Sequence, residues 1–374
     1  MFFGLLGKKL TKNYLGIDIG TGGLKAVELM NEKGRGRLLT YGYSERQASD
    51  SLLHPLDNPK ETAELILKIC KKSGIVSHQA IAALPLSSVF STIVAVPRNK
   101  DERVVKEAIN EQIQKLSPMP LAEMITYSTF IDPLKIEEKK EKSSVGSQPV
   151  VETKKRDYVR VLVTGAAKSL VQKYIEIFKL AKLELLALDT EAFALIRSLV
   201  GKDKSTVMII DMGSVRSNLT IVEKGVPFLV RSINIGGSVV TQKITQQLGI
   251  SDAEAERLKQ DLATMAETDT KIAEGLQNIL GAILQPLINE IRYSFEVFAK
   301  MELTEGRRVE KIILTGGSAH LPGLVKEMTK ALNINVYIGD PWARIVTPEE
   351  LRPMLDEIGP RLSVAVGLAM REIE

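Results

Sequence analysis

The sequence predicts an α/β protein with a duplicated fold, two related lobes around one cleft, and a smaller α+β module inserted in the first lobe. Three observations carry this. Ile17-Asp18-Ile19-Gly20-Thr21 returns about half a chain later as Ile210-Asp211-Met212-Gly213-Ser214. A run of three strand-like apolar segments surrounds each copy. The 374 residues, 44% of them hydrophobic, exceed what one core usually supports.

In chain order, Leu15–Gly20, Leu24–Met30 and Arg37–Ser44 read as a meander with glycine-rich turns. A helix follows, with Asn58 as N-cap, Pro59 at its first position, Glu61 completing a capping box and Gly74 ending it. Ile81–Leu84 is a short buried strand. Beyond Pro85 the pattern changes to strand Val89–Val96, then a helix with Val104, Val105, Ala108, Ile109, Ile113 and Leu116 at helical spacing, then strands Met124–Ile131 and Tyr158–Thr164, then a helix over 169–181. Asp132–Asp157 is rich in Lys, Glu and Ser and is expected to be a flexible loop. Thr206–Asp211, Asn218–Val222 and Phe228–Ile235 restore the meander. Helices over 238–248, capped by Gly249, and from Ser251 with Glu254 come next, then a long helical stretch from Ile272 to Phe298 with a break or kink expected at Pro286. Ile312–Thr315 is a strand, Leu321–Thr329 a helix, and Pro360 is read as opening a terminal helix that reaches Arg371.

Composition excludes several classes. Lys and Arg number 50 against 46 acidic residues, and a net charge of +4 provides no field for nucleic acid. The single cysteine, Cys70, sits among apolar residues and reads as a small hydrophobe, and the three histidines lack metal-ligand spacing. No apolar stretch approaches the roughly 18 residues of a spanning helix, and the start has no cleavable signal pattern, so the chain is expected in the cytoplasm. The opening Met1–Lys9 is apolar then basic, which suits either a membrane surface or docking on its own domain.

The chemistry lies in the turns. Each glycine of the repeated motif lets the backbone approach an anion, each hydroxyl can donate to phosphate oxygen, and each aspartate can bind waters around Mg²⁺. A single Asp-x-Gly-[Ser/Thr] is an ordinary hairpin turn, whereas two placed alike point to a shared phosphate site. Lys25, seven residues after Asp18, can return its ammonium to the first turn, and the second hairpin has no such lysine. Thr315-Gly316-Gly317-Ser318 ends a buried strand with bare backbone against which a nucleoside can lie.

Two phosphate hairpins, a Gly-Gly turn and two small-residue helices, Asp189–Leu195 and Ser363–Ala369, together resemble the superfamily of actin, sugar kinases and heat-shock chaperones, with its duplicated ribonuclease H-like fold. The module after Ala82-Ala83-Leu84-Pro85 resembles the subdomain of its FtsA-like branch, a resemblance that excludes MreB-like and chaperone-like architectures. The start Gly16–Gly20 and the helix with Glu290-Ile291-Arg292-Tyr293-Ser294 look most like the PilM family of type IV pilus assembly proteins. FtsA proteins continue into a C-terminal amphipathic helix, while this sequence stops at Glu374, which also favours the PilM-like reading. The resemblance implies a first lobe at 1–85 and 187–204 (IA), an inserted subdomain at 86–186 (IC), and a second lobe at 205–374, with IIB about 240–305.

It further implies that ATP with Mg²⁺ is bound, with slow or absent hydrolysis. Asp18 and Asp211 would organise the metal, and Gly20, Thr21, Gly22, Lys25, Gly213 and Ser214 the phosphates. Gly236, Gly237, Gly316, Gly317 and Ser318 would face the nucleoside, and Glu256 and Lys259 would contact it, unless they form a solvated i,i+3 pair. Asp189 stands where such ATPases place an acidic catalytic residue, or it caps the connecting helix. The implied partner is the N-terminal cytoplasmic peptide of PilN, which would hold the chain at the inner face of the bacterial inner membrane and link it to the other platform proteins. A homo-oligomer is possible and no nucleic acid is expected. An FtsA-like filament scaffold and a small-molecule kinase of the same superfamily remain the alternatives.

Overall fold

The computed structural model describes residues 13–45, 54–99, 101–132, 157–265, 270–301 and 307–373. The expected loop between Asp132 and Asp157 and the basic Met1–Lys9 segment lie outside them.

The chain opens with β1 (Asn13–Gly20), β2 (Gly23–Glu32) and β3 (Arg35–Tyr43), then α1 (Pro59–Ser73) and β4 (Gln79–Leu84). The next elements are β5 (Val89–Pro97), α2 (Glu102–Leu116), β6 (Met124–Phe130), β7 (Tyr158–Ala167), α3 (Lys168–Leu180) and β8 (Glu184–Thr190). Helix α4 (Glu191–Leu195) ends in a π-helical turn, Ile196–Val200, and leads to β9 (Val207–Met212), β10 (Ser217–Glu223) and β11 (Val226–Ile233). Helices α5 (Gly237–Leu248), α6 (Asp252–Met265) and α7 (Thr270–Lys300) precede β12 (Lys311–Thr315), α8 (Leu324–Leu332), β13 (Asn335–Ile338) and α9 (Arg352–Met370).

Contacts divide the chain into two compact units, Val89–Ser169 and the remainder. In the larger unit, one topology occurs twice. The sheets run β3-β2-β1-β4-β8 and β11-β10-β9-β12-β13, each an antiparallel meander extended by two parallel strands. The fifth strand of each sheet escapes sequence patterning. β8 is rich in Leu and Ala rather than β-branched residues, so its strand form comes from pairing with β4, and β13 has only four residues.

Helices α4 and α9 cross where small residues allow it. A β-carbon on Gly367 would overlap the Ala194 carbonyl oxygen, and one on Gly16 of β1 would overlap that of Ala365. Their apolar faces merge with both sheets in one core containing Ile81, Ala194, Val207, Ile313, Val364 and Leu368. The strand ends that carry the motifs are thus fixed from beneath by buried helices. Helix α1 forms as its caps dictate: Asn58 Oδ1 accepts from the Glu61 amide at 3.4 Å, and Gly74 closes it at φ 69°.

The smaller unit is an antiparallel sheet, β5-β7-β6, with α2 packed on one face through Val105, Ile109 and Ile113. Val104 and Leu116, expected on that apolar face, are exposed. The unit is shorter than the expected module of 86–186, because α3 and β8 belong to the larger unit. Tyr174 of α3 is fully buried and donates its hydroxyl to the Ala83 carbonyl at 2.7 Å, and β8 pairs with β4.

Two helix starts are corrected. α9 starts at Arg352, with Pro353 in its first turn, so Pro360 lies inside the helix. The Pro360 carbonyl turns to the Gly316 amide and the Thr315 hydroxyl, both at 2.9 Å. α8 starts after Gly323, whose φ of 77° breaks the helix expected from Leu321. α7 runs on through Pro286, which lies at an exposed position, so the helix does not end there.

Candidate functional site

Strand register places the chemistry. In the first hairpin Asp18 pairs across the strands with Lys25, and its carboxylate accepts from the Lys25 ammonium at 3.1 Å. In the second hairpin the same register sets Asp211 opposite Asn218. Asn218 is therefore the counterpart of Lys25, a role hidden in sequence because only the pairing reveals it. The two turns meet: a β-carbon on Gly22 would stand 3.0 Å from that of Ser214. Thr21 also lines a cavity of about 780 Å³ between β3 and α1.

Three loops lock together on the second lobe. Gly316 has φ 90°, and a β-carbon there would stand 2.5 Å from Asp211 Oδ1, so only glycine fits. The Ser318 amide donates to the Met212 carbonyl at 3.1 Å and its hydroxyl to Gly213 at 3.4 Å. The Gly237 amide donates to Gly213 at 3.0 Å, and a β-carbon on Gly236 would strike the Ser214 carbonyl at 2.5 Å. Glu256 and Lys259 are more than a surface pair. Lys259 donates to the Gly237 carbonyl at 3.3 Å, to the Thr241 hydroxyl at 3.0 Å and to Glu256 at 2.6 Å, bracing α6 against the start of α5. Thr241, which donates to Glu256 at 2.6 Å, had no signal of its own in the sequence. Gly317 is exposed at the rim of this group.

Two acidic residues, Asp189 and Glu191, flank the start of α4 and have different surroundings. Asp189 accepts from Arg197 at 2.7 Å and from the Thr190 amide at 2.8 Å, with Arg371 at 3.7 Å, so its carboxylate is occupied by cations. Nor does it cap α4: the Thr190 hydroxyl does, accepting from the Phe193 amide at 3.3 Å. Glu191, the first residue of the helix, turns toward the two motif hairpins. Its Oε2 accepts from the Leu86 amide at 3.0 Å and from Asn218 at 3.1 Å.

Burial, then the charges of Asp18 and Asp211, push the Glu191 carboxyl up to about 8. Burial and the Asp18 charge raise Asp211 to about 6, with Lys25 opposing both shifts. Asp18, Asp211 and Glu191 therefore crowd one region with more negative charge than Lys25 offsets. Among the described residues, no three His, Cys, Asp or Glu side chains are grouped to ligate a metal directly. Two mutually repelling carboxylates facing bare turn backbone do fit Mg²⁺ held through its waters, since that ion keeps several waters and takes few protein ligands.

Paired five-stranded sheets of one topology, crossing connector helices and an acidic cluster at two adjoining aspartate turns define an actin-like fold. The family described as Type IV pilus assembly protein PilM matches residues 16–373, so the chain belongs to that family and is an actin-like pilus assembly protein. It overlays on the PilM-PilN type IV pilus biogenesis complex with a TM-score of 0.76 at 22% identity, covering 96% of this chain and 98% of that one. MreB5 of Spiroplasma citri bound to ADP overlays with a TM-score of 0.54 at 12% identity, covering 96% and 95%. The cell division protein FtsA of Bacillus subtilis (strain 168) is 23% identical over 220 residues, 52% of this chain and 49% of FtsA, so the chain spans about half the length of that relative.

Proposed function

We propose that this chain is an ATP-binding clamp that holds the N-terminal cytoplasmic tail of PilN and couples nucleotide state to the inner-membrane pilus platform. The observation that carries it is the close approach of the Asp18 and Asp211 turns, whose carboxylates repel each other, with the Gly316-Gly317 turn beside Asp211. Asp18 and Asp211 would hold the waters of Mg²⁺, which when bound supplies neutralisation of phosphate charge. Lys25 and the amides of Gly20, Thr21, Gly22, Gly213 and Ser214 would face the phosphates. Gly236, Gly237, Gly316, Gly317 and Ser318 would receive the nucleoside, with Glu256 and Lys259 bracing the loop around it.

In this reading Glu191, rather than Asp189, orients the water for hydrolysis and takes its proton. A carboxyl with a pKa near 8 is mostly protonated at neutral pH, which supports slow turnover and a clamp more than a catalyst. PilN as partner is supported by family membership and by the structural relative that is itself a PilM-PilN complex. No described helix is long and apolar enough to cross a membrane; attachment at the inner membrane is assigned to PilN.

Fluorescence anisotropy of a labelled PilN tail tests both parts. Saturable binding is expected, with an affinity that differs at least about threefold between the Mg-ATP and nucleotide-free states, a coupling of about 0.7 kcal/mol. No saturation at high micromolar protein would remove the partner, and equal affinity in both states would remove the coupling.

A further inference from the structure

Arg361 connects the glycine turn to the first lobe, and none of the roles above uses it. It follows Pro360, whose carbonyl is fixed to Gly316 and Thr315. That anchoring sets the Arg361 side chain beside the turn, where a β-carbon on Gly317 would stand 3.7 Å from its Nε. The guanidinium then reaches the end of β3. There it lies 5.3 Å from the centre of the Tyr43 ring and pairs with Glu45.

Both partners are replaceable. Glu45 is half exposed, so its ion pair is weak, and Tyr43 is exposed as well. A planar cation held over an aromatic ring, at the rim of a turn of bare backbone, has the chemistry to receive a nucleobase: it can stack on a purine face and donate to ring acceptors.

We propose that Arg361 is the base-recognising residue of the nucleotide site, exchanging Tyr43 and Glu45 for the purine when nucleotide enters. The proposal rests on the nucleotide reading above. It differs from a purely structural tie between α9 and β3, which would treat every ligand alike.

Calorimetric titration of the full chain with Mg-ATP and with Mg-tripolyphosphate, which has no base, separates the two. Arg361→Ala is expected to weaken ATP roughly 3- to 30-fold while tripolyphosphate stays within about twofold. Arg361→Lys, which keeps the charge but loses the plane, should behave like the alanine variant. Glu45→Gln should leave ATP affinity equal or tighter, and thermal melts establish that each variant folds. If Arg361→Ala melts early, the lysine and Glu45 variants carry the test. Unchanged ATP affinity in Arg361→Ala, equal loss for both ligands, or a lysine variant that binds like the wild type would overturn the proposal alone. A wild-type chain that binds neither ligand would overturn the nucleotide reading and this proposal with it.

Discussion

Glu191→Gln exchanges the most perturbed carboxyl of the cleft for its neutral isostere. The folded chain holds the Glu191 proton to about pH 8, while the ordinary value is 4.5. The unfolded chain therefore loses that proton first as pH rises, and stability falls across the window from about 4.5 to 8. Undiscounted, the lift corresponds to roughly 4 to 5 kcal/mol at the upper end. Glu191 is only half-buried by area, so solvent screening reduces the expected effect to about 2 kcal/mol. The glutamine oxygen can still accept from the Leu86 amide and Asn218, so no hydrogen bond is orphaned. Thermal melts of the ligand-free chain should show the variant about 2 to 4 °C above wild type at pH 8, with the gap shrinking to under about 1 °C at pH 5. A variant that melts at or below wild type at pH 8, or an offset that is the same at both pH values, would refute the assigned burial and charge crowding.

Gly367→Ala places a methyl against the Ala194 carbonyl and should cost about 3 kcal/mol by forcing the helix crossing apart, whereas Gly281→Ala on α7, with open space around it, should be neutral or slightly stabilising in the same melts. Asp189→Ala should destabilise by about 3 kcal/mol, because it leaves the part-buried Arg197 without its carboxylate, yet keep ATP affinity within about threefold in the folded protein. A large selective loss of ATP binding in Asp189→Ala would return the acidic role to that residue.

The duplicated hairpins were legible because their signal is local: an aspartate, a glycine and a hydroxyl between strand-like segments specify both element and chemistry. The close crossing of α4 and α9 followed from Gly367 and the alanines alone. What could not be read depends on pairing across the sheets. Glu191 gains its position only because β8 pairs with β4 and ends at Thr190, one residue earlier than the helix start. Asn218 becomes the partner of Glu191 through the β9–β10 register. Pro360 looked like a helix start because proline favours first turns, but Pro353 takes that place and the Pro360 carbonyl serves the glycine turn. The i,i+3 spacing of Glu256 and Lys259 left open a nucleoside contact or a solvated pair, because the Gly237 carbonyl that draws Lys259 inward stands at the start of α5, 22 residues away.

The most direct test is calorimetric titration of Mg-ATP into wild type, Asp18→Asn and Asp211→Asn. Saturable binding that chelation of Mg²⁺ abolishes is expected for the wild type, weakened at least about tenfold in each variant. Either folded variant binding as tightly as wild type would show that the two turns do not share one nucleotide and its metal.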